Sequence, residues 1–73
     1  MKELYDVQQL LKRFNIYVYL GKRKWDIELM LQEIQSLHQS GVITDQEFKE
    51  SLLILKREHR IEEQKESGGE HIE

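Results

Sequence analysis

Between residues 7 and 25, five cations (Lys12, Arg13, Lys22, Arg23 and Lys24) stand with no acid among them, on a 73-residue chain of net charge −3. Phe14, Tyr17, Tyr19 and Trp25 interleave with those cations. Cations neutralise phosphates and flat rings receive unstacked bases, so the combination suits a single-stranded nucleic acid. The candidate binding set is Lys12, Arg13, Tyr17, Tyr19, Lys22, Arg23 and Lys24. Each member also has a structural use. Lys12 and Arg13 fall in the last turn of a predicted helix, where they complement its negative end. Lys22, Arg23 and Lys24 sit at the start of the next, where cations oppose the dipole but can hold a phosphate. Their plain alternative is a solubilising loop paired with Asp26 or Glu28. Tyr17 and Tyr19 suit base stacking, yet in a small core such rings more often pack on a helix with their hydroxyls at the surface. Trp25 reads as a bundle anchor, since burying one large ring helps a small domain most.

Other chemistries find little footing. No serine or threonine shows a histidine–acid partner spacing, and no glycine-rich phosphate loop is present, so no enzyme is expected. There is no cysteine, and His38, His59 and His71 lie on separate elements without an i,i+4 ligand pair; no metal or cofactor is expected. The overall acidity excludes a histone-like DNA coat. Absence of cysteine suits a reducing cytoplasm. The N-terminus reaches Glu3 and Asp6 too soon for a signal peptide. The longest apolar run, Ile16 to Leu20, is five residues, against roughly 20 for a membrane span. A cytoplasmic protein with no membrane or small-molecule partner is expected.

The elements that must position the basic-aromatic segment follow from periodicity. Charged residues make up 34% of the chain and proline is absent, which favours helices. Asp6 and Gln9 read as a capping box opening a first helix, with Leu4, Val7, Leu10, Leu11 and Phe14 on one stripe. From Asn15 to Leu20 the period changes to two, predicting an extended connector with Ile16, Val18 and Leu20 on the core and Tyr17 and Tyr19 facing away. A second helix runs from about Trp25 to Ser40 on the stripe Ile27, Met30, Leu31, Ile34, Leu37 and His38. Gly41 supplies a left-handed closure, Thr44 and Glu47 a capping box, and Ile43 with Phe48 a hydrophobic staple. The third helix runs from Asp45 to roughly Glu63, with Phe48, Leu52, Leu55 and His59 on one face and Leu53 and Ile54 off it. The fold expected is all-α: a small three-helix bundle over residues 1–61, with an extended connector between helices 1 and 2 and a disordered acidic tail over 62–73. Glu62, Glu63, Glu66, Glu70 and Glu73 of that tail could loosely cover the basic segment.

The run Tyr19-Leu20-Gly21-Lys22-Arg23-Lys24-Trp25-Asp26-Ile27-Glu28-Leu29-Met30 resembles the YqgQ-like family, small proteins of Bacillus-type bacteria. The resemblance covers nearly all of the chain except the acidic tail. It implies a cytosolic three-helix bundle with no established catalytic activity, and a role in single-stranded nucleic-acid binding; it carries no set of functional residues. Gly41-Val42-Ile43-Thr44-Asp45-Gln46-Glu47-Phe48 is similar to the turn of SHOCT-type helical hairpins, although Lys49-Glu50-Ser51-Leu52-Leu53 stands where those modules place several lysines. Two functions are therefore expected to compete: binding of single-stranded DNA or RNA through the basic-aromatic segment, and a protein adaptor or self-associating bundle using Leu53 and Ile54.

Overall fold

The computed structural model describes the backbone of residues 1–71 and the side chains of residues 1–65. It holds three helices, α1 (Leu4–Lys12), α2 (Arg23–Gln39) and α3 (Asp45–His71), with no strand among the described residues. Helix α1 begins a turn earlier than an Asp6 N-cap requires. Glu3 is the N-cap and Asp6 the third helical residue. The Asp6 carboxylate accepts the backbone N–H of Lys2 at 2.8 Å and of Glu3 at 3.0 Å. An acid three residues into a helix can reach back in this way to satisfy exposed donors. The shift brings Leu4 into the helix and into the core.

Two helices stop by the same chemistry. At the end of α1, Asn15 takes φ 61°, Ile16 N–H donates to Leu11 O at 3.1 Å, and Asn15 N–H donates to Lys12 O at 3.0 Å. At the end of α2, Gly41 takes φ 76°, with Val42 N–H on Leu37 O at 3.2 Å and Gly41 N–H on His38 O at 3.0 Å. Each is a Schellman closure, the left-handed residue turning the chain while the last carbonyls find donors. A Cβ at Gly41 would meet nothing within 4 Å, so Gly41→Ala carries only the left-handed backbone penalty. A loss of about 1–2 kcal/mol in urea denaturation is expected; an unchanged midpoint would contradict it.

Thr44 and Glu47 open α3 as their spacing predicts. Glu47 N–H donates to Thr44 Oγ1 at 3.0 Å, and Thr44 N–H donates to Glu47 Oε1 at 2.9 Å. Ile43 is buried beside this cap and Phe48 packs on the core, completing the staple.

The core joins Leu4, Val7, Leu10 and Leu11 with Ile27, Met30 and Ile34, and with Ile43, Ile54 and Leu55. Helix α3 packs against both α1 and α2, which calls for an apolar arc wider than one stripe. Ile54 accordingly belongs to the core at 5% exposure, and Ser51 is fully buried with its hydroxyl 3.4 Å from Met1 Sδ. The expected joint Leu53–Ile54 surface is therefore corrected: only Leu53, 72% exposed, faces outward.

Helix α3 also continues past the 61/62 boundary. Glu62 lies 3.6 Å from Arg23 Nε and 3.3 Å from Lys65 Nζ, so this first residue of the expected tail is tied to α2 and to its own helix. Side chains beyond Lys65, including those of Glu66, Glu70 and His71, and all of Ile72 and Glu73, lie outside the described residues. Among the described residues no helix is long and apolar enough to cross a membrane.

Candidate nucleic-acid interface

Past Asn15 the chain has no helix or strand until Arg23. Ile16 and Val18 are half-buried against the core, while Tyr17 is 70% and Tyr19 87% exposed. The predicted alternation holds up to Val18 and Tyr19, and the alternative of tyrosines packed on a helix does not. Leu20 departs from it at 52% exposure. Its N–H donates to Asp26 Oδ1 at 2.6 Å, which draws the chain toward the start of α2, and Gly21 then turns at φ 90°. Residues two apart on an extended chain share a face at a spacing of roughly 6.6 Å. Tyr17 and Tyr19 are thus neighbours on one outward face. Together with Lys12 they line a hollow of about 260 Å³ that also reaches Gln8, Leu11 and Met30.

The remaining cations separate into two arrangements. Lys22 is the N-cap residue of α2, and its Nζ lies 5.1 Å from the centre of the Trp25 ring. Trp25 is 52% exposed, so the expected bundle anchor is instead a surface ring carrying a cation. Ile27, Met30 and Ile34 already fill the core from α2, which leaves the ring of its first turn outside. Lys24, in the same first turn, is half-buried. Arg13 and Arg23 turn to α3. Arg13 Nη1 lies 3.3 Å from Glu47 Oε2, and Arg23 reaches Glu58 at 3.4 Å and Glu62 at 3.6 Å. The structure therefore gathers Lys12, Tyr17 and Tyr19, seats Lys22 on Trp25, and directs Arg13 and Arg23 to acids. Both guanidinium groups are more than half exposed, and such pairs contribute about 0–1 kcal/mol, so they can exchange a carboxylate for a phosphate.

His38 and His59 fasten helices. His38 Nε2 lies 2.7 Å from Asp45 Oδ1, and its ring stacks on Phe48 with centroids 4.0 Å apart. His59 Nε2 lies 2.8 Å from Glu28 Oε2, joining α3 to α2. Among the described residues no group of three His, Cys, Asp or Glu could hold a metal ion.

Among the described residues, four carboxyls are held below their ordinary range by contacts of this kind. Asp6 is lowered by the N–H groups of Lys2 and then Glu3, and Asp45 by its hydrogen bond to His38. Glu47 is lowered by the Thr44 N–H, with Arg13 adding to it, and Glu50 by the Gln46 amide and then the N-terminal ammonium. A folded-state pKa below the unfolded one gives stability that is complete above the ordinary carboxylate range, about pH 4, and is lost as pH falls through the folded values. Thermal melting followed from pH 7 to pH 2 should hold level at first and then fall below about pH 4. Glu47→Gln should shallow that fall; an unchanged acid limb would show that the Thr44–Glu47 box is not one of its sources.

Residues 1–61 match the YqgQ-like family. A relative from Bacillus subtilis (strain 168), named Uncharacterized protein YqgQ, is 40% identical over 58 residues, covering 80% of this chain and 82% of the relative.

Proposed function

The chain belongs to the YqgQ-like family, and from that premise we propose that it is a non-catalytic cytoplasmic protein that binds single-stranded nucleic acid along its connector. One observation carries this reading: two tyrosines, alternating with the half-buried Ile16 and Val18, stand in solvent beside Lys12 on a shared hollow. A buried pair would have no such use. Tyr17 and Tyr19 stack successive splayed bases, and every base offers a π-face, so recognition is tolerant of sequence. Lys12, Lys22 and Lys24 neutralise phosphates on either side of the rings, and Trp25 with Lys22 extends the platform past Gly21. Arg13 and Arg23 join only by giving up Glu47, Glu58 or Glu62. The absence of cysteine supports the cytoplasmic placement.

Fluorescence anisotropy with labelled oligothymidylate and oligouridylate, at low and moderate salt, tests the reading. Expected are binding to both, a steep loss with salt, and weaker binding to a duplex of equal length, whose bases are not open to the rings. No binding at low salt, or a preference for the duplex, would end it.

A further inference from the structure

A second basic surface lies on α3. Lys56, Arg57 and Arg60 follow Leu53 at three, four and seven residues, which places all four on one helix face. The chain before α1 forms the opposite wall, held there by Arg57 Nη2 donating to the Lys2 carbonyl at 3.0 Å. Between them runs an open groove of about 600 Å³, with Leu53 and Met1 as its apolar part, Lys2, Lys56, Arg57 and Arg60 around it, and Glu50 as the acid in its lining. Glu50 and the neighbouring Glu58 are already matched. Glu50 faces the N-terminal ammonium at 3.2 Å, and Glu58 faces Arg23 and Arg57. The rim therefore stays positive around an exposed leucine.

This groove shares no lining residue with the hollow under the connector. Among the described residues no aromatic ring lines it, which removes the stacking that a single strand requires. An apolar anchor inside a cationic rim complements an amphipathic helix whose apolar stripe is flanked by carboxylates. We propose that the groove docks an acidic amphipathic helix of a partner protein, its apolar stripe covering Leu53 and its carboxylates facing Lys2, Lys56 and Arg60. The charges fix the orientation and speed the encounter, while the Leu53 contact supplies the desolvated centre.

The test uses the full chain, isotope-labelled, titrated with a capped synthetic peptide of Glu, Ala and Leu whose leucines share one helical face. Backbone amides from Leu53 to Arg60 should shift, and those of Ile16 to Trp25 should not. Leu53→Ser, and separately Lys56→Glu with Arg60→Glu, should each weaken the peptide about tenfold or more. Both variants should keep the melting temperature, because the altered side chains are exposed. A peptide of the same composition with its leucines scattered around the helix should bind about tenfold more weakly. Equal binding by the two peptides would reduce the groove to unspecific charge and overturn the proposal. So would shifts confined to the connector, or no shift at millimolar peptide. Oligothymidylate moving the Leu53 to Arg60 amides as strongly as the peptide would also overturn it, making this face part of a nucleic-acid track.

Discussion

Replacing Tyr17 and Tyr19 together by alanine should weaken oligothymidylate binding about 30-fold or more while leaving the slope of log K against log salt unchanged. Stacking contributes roughly 1–3 kcal/mol per base, so two rings account for at least about 2 kcal/mol, and stacking releases no counterions. The fold should not suffer, since both rings are in solvent while Ile16 and Val18 hold the connector to the core. The complementary variant replaces Lys12, Lys22 and Lys24 by alanine. It should flatten the salt slope by about 2, at roughly 0.7 for each phosphate of a single strand left without its lysine. Arg23 is left in place because it ties α2 to Glu58 and Glu62, and its loss would mix stability with binding. Wild-type affinity in the double tyrosine variant would sink the stacking reading, whatever the cations do.

The two arms of that experiment separate because the structure separates the segment's chemistry, and the sequence displays only part of that division. The Thr44–Glu47 cap, the Ile43–Phe48 staple and the Gly41 closure are legible because their partners lie within five residues. The outward tyrosines follow from a period of two, which one buried face imposes. Asp6 is ambiguous locally: an aspartate near a helix start serves equally as N-cap or as the acid reaching back from the third position, and only Leu4's place in the core decides. Asn15 closes α1 as Gly41 closes α2, and its left-handed role is visible only as an asparagine just past an apolar stripe. The partners of Arg13 and Arg23 lie 34 or more residues away, so a run of like charges conceals that these guanidinium groups also serve the fold. The α3 groove stays hidden for the same reason, since Lys2 meets Arg57 across 55 residues.

Leu55→Ala and Leu53→Ala make the same chemical change two residues apart on one helix, and they should differ by several kcal/mol. Leu55 is fully buried where α3 meets the rest of the core, whereas Leu53 stands 72% exposed. Truncating a buried leucine removes its transfer free energy and leaves a cavity, together about 2–5 kcal/mol, while a surface change stays within about 0.5 kcal/mol. A domain this short is expected near the lower end of native stabilities, about 5 kcal/mol, so Leu55→Ala should remove much or most of the total. Urea unfolding followed by circular dichroism reads the difference directly. The connector rests on that same core through Ile16 and Val18, so the loss should also loosen the platform that presents Tyr17 and Tyr19. Oligothymidylate affinity should therefore fall in Leu55→Ala near its unfolding midpoint and hold in Leu53→Ala under the same conditions. Equal destabilisation by the two changes would place Leu53 in a packed interface of the protein itself, and the groove on α3 would then be already filled.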